Sequence, residues 1–235
     1  MASVSQVTLG ADNLYVLALQ FENTIVTTMS SFDRKAHWEV IYATKDTTQV
    51  SWFQPVPETS LDLISSTGLP KSARIIDVGG GDSYLTDHLL ERGFRDLTVL
   101  DISVEALELS KQRLADFSDE VTWVVSDATE YVTDEPYDLW HDRAAFHFLT
   151  DRDEQLRYVE RVRAAVKPGG WVIIGGFSVA GPTKCSGLPI HQHSEESLQA
   201  LFFKGFEAVE CFRVDHTTPG GTDQNFVFCR FKKLD

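Results

Sequence analysis

The sequence predicts an α/β fold: a doubly wound, mostly parallel seven-stranded sheet with a C-terminal antiparallel hairpin and an N-terminal helical cap. From Arg74 onward, short runs rich in β-branched residues alternate with segments of helical periodicity, which is typical of βαβ units with right-handed crossovers. The last two strand-like runs are joined by a turn-rich segment, residues 217–222, and not by a helix, which indicates a hairpin. Two helical patterns before Arg74 predict the cap.

Seven short apolar runs predict the strands, because each run ends in residues that favour turns. The first ends at three successive glycines, the second at Asp101, the third at Asp127 and the fourth at His141. The predicted strands cover residues 74–78, 97–100, 121–125, 137–140, 171–175, 207–216 and 225–232.

Apolar residues at helical spacing predict the helices between these strands, and capping residues mark several of their ends. Gly93 follows the first core helix, Ser103 caps the second, and Glu195 lies at the positive end of the last. Residues 167–170, Lys-Pro-Gly-Gly, are predicted to end the third helix and turn into the fifth strand. The predicted core helices cover residues 83–92, a segment after Ser103, about 151–166 and 194–203, and the cap helices lie around 33–42 and 58–66.

Composition excludes several classes of function. Thirty-five acidic residues against 21 basic ones give a formal charge of −14, and such a field repels a phosphate backbone, so we expect no nucleic-acid partner. No apolar run approaches the roughly 20 residues of a membrane span. The first 33 residues contain no Lys or Arg, which argues against a secretory or mitochondrial leader. We therefore expect no membrane partner and a cytoplasmic protein.

The three cysteines, Cys185, Cys211 and Cys229, predict neither a disulfide framework nor a zinc ribbon, because they are few and show no C-x-x-C spacing. A reduced, intracellular setting fits this usage. Cys185 with His191 and His193 has the residue types of a metal site, but the spacing C-x5-H-x-H matches no zinc pattern, so we expect no metal.

A candidate ligand site lies where the first two strands end. In the segment Asp77-Val-Gly79-Gly-Gly81-Asp-Ser83, the glycines remove β-carbons that would keep a ligand away from the backbone. Asp101 follows twenty residues after Gly81, at the end of the second strand, where a carboxylate can accept hydrogen bonds from both ribose hydroxyls. The alternatives are an ordinary tight turn and a solvated loop aspartate, and the combination favours a nucleoside site.

The residues around this turn also indicate which nucleoside fits. A dinucleotide fold prefers G-x-G-x-x-G, and here Tyr84 takes the third glycine position. Asp77, aimed at the turn, would repel a pyrophosphate and suits a cationic or amino-acid-bearing ligand. Asp127, which precedes Ala128 at the third strand end, could accept from an adenine amino group.

Together with the 167–170 segment, these motifs resemble the class I S-adenosylmethionine-dependent methyltransferases, over about residues 33–232. The resemblance implies a Rossmann-like core that binds S-adenosylmethionine, with glycines flanking the methionine moiety, Asp101 at the ribose, Asp127 and Ala128 at the adenine, and Asp77 ordering the loop. Ser83 stands where the family often has a third glycine. The expected cofactor-binding set is Tyr42, Trp52, Asp77, Gly79, Gly80, Gly81, Ser83, Asp101, Ile102, Asp127, Ala128 and His141.

The cap segments 37–42 and 51–53 are similar to caps in bacterial small-molecule enzymes of this family and in eukaryotic protein lysine methyltransferases. Aromatic faces near a sulfonium give cation–π support and exclude water. We expect Tyr42 and Trp52 to contact the ligand, whereas Trp38 is equally compatible with ligand contact and with packing of the cap.

The acceptor side is expected after the fourth strand and in the loop after the fifth, where the family places it. Methyl transfer is an in-line displacement, so a general base is needed only for an acceptor that arrives protonated. His147 is the candidate base, with Asp142 orienting it or balancing its charge. Arg143 either clamps an acceptor carboxylate or forms an ion pair with Asp142 or Asp151. Residues 181–193 are expected to form a lid over the acceptor.

These observations predict an enzyme that transfers a methyl group from S-adenosylmethionine to a small-molecule amine, thiol or carboxylate. Alternatives are a protein lysine N-methyltransferase, a non-catalytic nucleotide-binding module and a nicotinamide-dependent reductase, which would need the third glycine. We expect an extension over residues 1–30, either disordered or a docking helix, and one methyltransferase domain over 31–235, with the cap at 31–69 and the core at 70–235. A monomer or weak dimer is expected.

Overall fold

The computed structural model describes residues 32–235, and one compact unit spans Lys35–Asp235. The predicted extension over residues 1–30 lies outside the described residues. The helices are α1 (Arg34–Thr44), α2 (Glu58–Ser65), α3 (Leu85–Glu91), α4 (Val104–Arg113), α5 (Arg152–Ala165) and α6 (Glu195–Phe202). The strands are β1 (Arg74–Val78), β2 (Asp96–Asp101), β3 (Val121–Val125), β4 (Tyr137–Arg143), β5 (Val166–Phe177), β6 (Lys184–Cys185), β7 (Leu188–Pro189), β8 (Phe206–Thr217) and β9 (Asp223–Lys233).

Seven strands form one sheet in the order β3-β2-β1-β4-β5-β9-β8, which confirms the predicted fold class. The first five are parallel, and β9 pairs antiparallel with both β5 and β8. The strand order reverses beside β1, which pairs with β2 on one side and β4 on the other. Ligands of such sheets bind at the carboxyl ends of the strands at this switch point.

The start of β5 differs from the prediction. Residues 167–170 are an irregular first part of β5 and do not form a separate turn, because Tyr137 already pairs with Val166. A register shift between Tyr137 and Leu139, together with φ of +69° at Gly169, absorbs the extra residues.

Alternation along the strands sends apolar side chains to both faces of the sheet, as doubly wound sheets require. Ile75 lies on one face, in a cluster with side chains of α2 and α3. Ile76 lies on the other face, in a cluster with Trp140 and side chains of α5 and α6. The helices on both sides thereby hold the strand ends, and the candidate site with them, in a fixed position.

A buried polar chain joins β4 to α5. The indole N–H of Trp140 donates to the Tyr158 hydroxyl over 2.9 Å, and that hydroxyl donates to Asp142 Oδ2 over 2.5 Å. The other oxygen of Asp142 accepts from the backbone N–H groups of Ala145 and Phe146. Burial raises the pKa of Asp142 to about 6, and these hydrogen bonds oppose a further rise.

The C-terminal hairpin contains a disulfide. Cys211 of β8 faces Cys229 of β9 with a Cα–Cα distance of 4.2 Å, and the two are bonded, whereas Cys185 is a buried free thiol. The expectation that the cysteines are all reduced is wrong for this pair, because the hairpin brings together residues that are 18 positions apart. Within residues 32–235, no helix is both long and apolar enough to cross a membrane.

Tyr158→Phe should lower the free energy of unfolding by about 1–3 kcal/mol at pH 7, because it removes the donor to the buried Asp142 carboxylate and the acceptor of Trp140. Tyr84→Phe is the matched control, since no hydrogen bond of its hydroxyl occurs among the described residues, and it should stay within about 0.5 kcal/mol. Denaturant unfolding measures both variants. Equal stability of the two would contradict the role of this chain.

Candidate active site

The turn after β1 is compatible only with glycine at its key positions. Gly79 has φ of +66° and Gly81 has φ of +43°, a backbone region that side chains disfavour. A β-carbon on Gly79 would collide with the side chain of Ala145 in the loop after β4. One on Gly81 would lie 2.7 Å from the Tyr42 hydroxyl and 3.0 Å from Asp101 Oδ2. The cap, β2 and the loop after β4 can therefore approach one another around this turn.

Asp77 lies at the bottom of the turn and has one oxygen left for a ligand. Its side chain is only 5% exposed, and Oδ1 accepts from His141 Nδ1, 2.7 Å away. The other ring nitrogen of His141 lies 2.9 Å from the Ser60 hydroxyl of α2. Asp77 Oδ2 is buried and has no hydrogen-bond partner within residues 32–235. An unsatisfied buried carboxylate oxygen is costly, so a cationic donor is the natural ligand of this position.

Asp101 closes β2 as predicted and is almost fully buried. Burial raises the pKa of this carboxyl to about 7, with nearby Asp77 and Glu39 acting in the same direction. Backbone N–H groups of Ile102 and Ser103 oppose the rise, the latter over 2.8 Å. Any hydroxyls that donate to the ionised form would lower this pKa toward its ordinary value.

One face of α4 fixes the glycine turn. Ser110 donates to the Gly81 carbonyl over 2.7 Å, and Arg113 donates to the Ser83 carbonyl over 2.9 Å. The Arg113 guanidinium also pairs with Asp82 and with Asp87. These contacts add to the turn's own backbone hydrogen bond, from the Ser83 N–H to the Gly80 carbonyl over 2.7 Å, and help to hold its shape.

Glu39 of α1 connects the cap to the same helix. Its carboxylate accepts from Ser103 Oγ over 2.7 Å and from the backbone N–H groups of Val104 and Glu105 over 2.9 and 3.1 Å. Partial burial alone would raise the pKa of Glu39, but these bonds at the positive end of α4 outweigh it and lower the pKa. The cap is therefore attached directly beyond Asp101.

The cap and the turn enclose a cleft with about 560 Å³ of empty space, including the solvent at its mouth. The predicted residues Tyr42, Trp52, Asp77, Gly79, Gly80, Ser83, His141 and Arg143 line it, together with Thr47, Phe53, Gln54, Pro57, Ser60, Asp82, Tyr84 and Leu85.

The other predicted cofactor residues lie at neighbouring strand ends. Ile102 follows Asp101, and Gly81 lies beside that carboxylate. Asp127 and Ala128 follow β3, the strand next to β2, where Asp127 Oδ1 accepts from the backbone and hydroxyl of Thr129. These four and Asp101 do not line the enclosed cleft, although the parallel strands bring them to the same edge of the sheet.

The structure separates the three predicted acceptor-side residues. Asp142 is turned toward Tyr158 and the backbone, and makes no hydrogen bond to His147 in the described part of the chain. His147 is fully buried, and its Nδ1 accepts from the Phe177 N–H over 3.3 Å. Burial, with His193 and Arg143 nearby, lowers the pKa of His147 to about 3, so the ring is neutral. Of the three residues, only Arg143 reaches the cleft.

The predicted lid contains the two-stranded β6–β7 hairpin. Its Cys185 packs into the apolar cluster on the α2 face, and the His191 N–H donates to the His147 carbonyl over 2.7 Å. The rings of His191 and His193 lie 4.6 Å apart between centroids. Over residues 32–235, no group of three or more His, Cys, Asp and Glu side chains is arranged to hold a metal ion.

Sequence reasoning missed Ser60, Thr47, Glu39, Ser110 and Arg113. Each acts through a partner at least 29 positions away, so the local pattern carries no sign of the role. The polar Ser110 on the otherwise apolar face of α4 is the one local signal that could have indicated a contact.

The residues present fit an S-adenosyl cofactor. Asp77 offers an unsatisfied buried oxygen to an ammonium group, the glycines leave space for a close approach, and Asp101 offers a carboxylate to hydroxyls. A family model described as a methyltransferase domain matches residues 76–172, from within β1 to the middle of β5. This match, which covers 97 of the 235 residues, together with the fold and the site supports a class I S-adenosylmethionine-dependent methyltransferase. The chain is therefore an enzyme, and S-adenosylmethionine is its cofactor.

Similar proteins differ in what they methylate. The chain is 27% identical to EEF1A lysine methyltransferase 2 of Danio rerio over 73% of this chain and 71% of that protein. It is 30% identical to trans-aconitate 2-methyltransferase of Rhizobium leguminosarum bv. trifolii over 63% of this chain, but spans only 53% of that enzyme. The solved structure of the N-methyltransferase NodS from Bradyrhizobium japonicum with S-adenosyl-L-homocysteine has a TM-score of 0.69 at 18% identity, covering 86% of this chain and all of NodS.

Asp101→Asn should weaken S-adenosylhomocysteine binding about 10- to 100-fold, because ribose hydroxyls would lose charge-assisted acceptors. The pKa of Asp101 is about 7, and ribose hydroxyls would bind its ionised form. The affinity of the wild type for S-adenosylhomocysteine should therefore fall as the pH drops from 8 to 6 and the carboxylate becomes protonated. Calorimetry measures the effect of the substitution and the effect of pH. Glu105→Gln, an exposed charge change on α4, should retain the wild-type profile. A flat wild-type profile would refute the ribose assignment.

Arg113→Gln should raise the KM for S-adenosylmethionine about tenfold or more with a smaller change in kcat, because the turn loses its support while the acceptor side stays intact. Arg113→Lys should restore part of the loss by keeping the charge. Arg95→Gln, which removes an exposed pair with Glu120, serves as the control. A fall in kcat alone would argue against a role in holding the turn.

Proposed function

We propose that this enzyme methylates a small-molecule acceptor bearing an amine, thiol or carboxylate. The observation that carries the proposal is the roof of the cleft: Thr47, Trp52, Phe53, Gln54 and Pro57, all from the cap, line it over the glycine turn. A cleft covered by the cap admits a metabolite more readily than a folded protein surface. The resemblance to trans-aconitate 2-methyltransferase supports the same class.

The cofactor supplies an electrophilic methyl group on a sulfonium, and the residues of the chain position and shield it. Asp77 Oδ2 would hold the ammonium of its amino-acid end, and Asp101 would hold its ribose. Asp127 and Ala128 would contact the adenine from the end of β3. With the cofactor fixed, the acceptor needs only a lone pair in line with the methyl–sulfur bond.

An aromatic cluster of Trp38, Tyr42, Trp52 and Phe148 would exclude water from the transfer. The Trp38 ring meets those of Trp52 and Phe148 edge-on, with centroids 6.0 and 5.0 Å away, and that of Tyr42 at 6.1 Å. The Trp38 contacts support packing of the cap. Tyr42 and Trp52 also line the cleft, where their faces would stabilise a cation.

Protein lysine methylation is the second candidate function. The observation that favours it is the match to EEF1A lysine methyltransferase 2, which extends over 73% of this chain. The expected lid does not separate the two functions, because none of residues 181–193 lines the cleft.

Transfer from labelled S-adenosylmethionine into a cell extract separates the two functions. The extract is assayed whole, after filtration to remove macromolecules, and as the retained protein alone, with the Asp101→Asn enzyme as the blank. Label in the filtrate supports a small acceptor, whereas label confined to retained protein supports the alternative.

We retain His147 as a candidate base for acceptors that arrive protonated. His147→Gln should then lower kcat about 100-fold at every pH from 6 to 9, because a pKa of about 3 keeps the ring neutral throughout that range, while S-adenosylhomocysteine affinity stays within about threefold. His193→Gln is the matched control, because His193 is equally buried but hydrogen-bonds to Ser197 of α6. If both variants lose the same activity and the same thermal stability, the role of His147 is structural.

The remaining expectations concern the domain bounds, the oligomeric state, the partners and the location of the protein. We propose one methyltransferase domain over residues 31–235, with 31–69 as its cap, acting as a monomer or weak dimer and without a nucleic-acid partner. A cytoplasmic location stays a prediction, and the Cys211–Cys229 disulfide removes part of the reasoning behind it.

A further inference from the structure

Arg143 is a partly buried cation without a carboxylate partner. It ends β4 and lines the cleft, where its Nη2 donates to the Trp52 carbonyl over 2.8 Å. No ion pair of its guanidinium occurs within residues 32–235. Both partners suggested by the sequence are engaged elsewhere: Asp142 with Tyr158, and Asp151 as the N-cap of α5. The ion-pair alternative for Arg143 is therefore wrong.

Three other arginines that are partly or fully buried are neutralised: Arg74 pairs with Glu135, Arg113 with Asp82, and Arg230 with Glu210. Arg161 of α5, which also has no ion pair within residues 32–235, donates to the Thr129 carbonyl and lies outside the cleft. A guanidinium stays charged at all ordinary pH values, even though burial lowers the pKa of Arg143. A buried charge without a counter-ion is costly to keep, and such groups are retained mainly where a ligand compensates them.

The cleft contains a second unsatisfied charge of opposite sign. Asp77 lies close enough to Arg143 to oppose the lowering of the guanidinium pKa by burial, but the two form no ion pair, and Asp77 Oδ2 has no hydrogen-bond partner among the described residues. The cleft therefore matches a ligand, or a pair of ligands, that carries both an ammonium group for Asp77 and a carboxylate for Arg143.

We propose that Arg143 is a carboxylate-binding residue of the cleft. One nitrogen is held by the Trp52 carbonyl, which fixes the guanidinium plane and leaves the remaining donors for a carboxylate. The proposal rests on the proposed methyl transfer and deepens it. The carboxylate belongs either to the amino-acid end of the cofactor or to the acceptor. In the second case the acceptor is an anionic metabolite, since a lysine ammonium beside Arg143 would be repelled.

The experiment compares Arg143→Gln, Arg143→Lys and Arg157→Gln, the last being an exposed arginine of α5 with the same loss of charge. Calorimetry measures binding of S-adenosylhomocysteine and of its decarboxylated analogue to each protein. If the cofactor supplies the carboxylate, Arg143→Gln weakens S-adenosylhomocysteine about 10- to 100-fold, leaves the analogue unchanged, and Arg143→Lys recovers part of the loss.

A second titration tests the acceptor as the source. Protein saturated with S-adenosylhomocysteine is titrated with citrate as a carboxylate probe. Binding by the wild type and by Arg157→Gln, lost in Arg143→Gln, supports an acceptor carboxylate. Thermal unfolding of the ligand-free variants shows whether Arg143 stabilises the fold. If its role is only to bind a carboxylate, its replacement should not lower the melting temperature, because the guanidinium has no ion-pair partner among the described residues.

The proposal is overturned if Arg143→Gln binds S-adenosylhomocysteine and citrate as the wild type does. It is also overturned if the variant loses both S-adenosylhomocysteine and its decarboxylated analogue equally while melting lower, since Arg143 then supports the fold. Failure of the wild type to bind S-adenosylhomocysteine would instead contradict the proposed function, so the two failures are distinguishable.

Discussion

The site depends on the absence of three β-carbons in the turn after β1. At Gly79, Gly80 and Gly81, an added β-carbon would meet the loop after β4, the Asp77 carboxylate and the Tyr42 hydroxyl respectively. Every other part of the site is arranged around this close approach. The cap, β2 and β4 all converge on one turn, and α4 then fixes that turn through Ser110 and Arg113.

The carboxylates of the site differ in the groups that stabilise their negative charge. Asp82 is neutralised by Arg113, Asp77 is half satisfied by His141, and Asp101 is hydrogen-bonded to backbone N–H groups yet has a pKa near 7. Only the last two have bonding capacity for a ligand. The formal charge of −14 therefore says little about the cleft, where the two unsatisfied groups, Asp77 Oδ2 and Arg143, have opposite signs.

Periodicity and turn residues predicted the strands, the glycine turn and the position of Asp101, because these features are encoded within a few neighbouring residues. The start of β5 was mispredicted, since a register shift with β4 overrides the turn tendency of Lys-Pro-Gly-Gly. Asp142 was assigned to His147 from proximity in sequence, but its partner Tyr158 comes from α5, which packs on the same face. The Cys211–Cys229 bond and the contacts of Arg113 likewise depend on pairings between distant segments that one sequence cannot reveal.

The place of β9 in the sheet has a consequence for biosynthesis. This strand is the last of the seven in chain order, yet it lies between β5 and β8, with antiparallel partners on both sides. Until the residues of β9 have left the ribosome, the nascent sheet has an open edge at β5, with unpaired backbone groups available to other chains. The interval between the synthesis of β5 and the insertion of β9 is thus the period of greatest exposure to misassembly, and a chaperone that covers that edge would act at this stage.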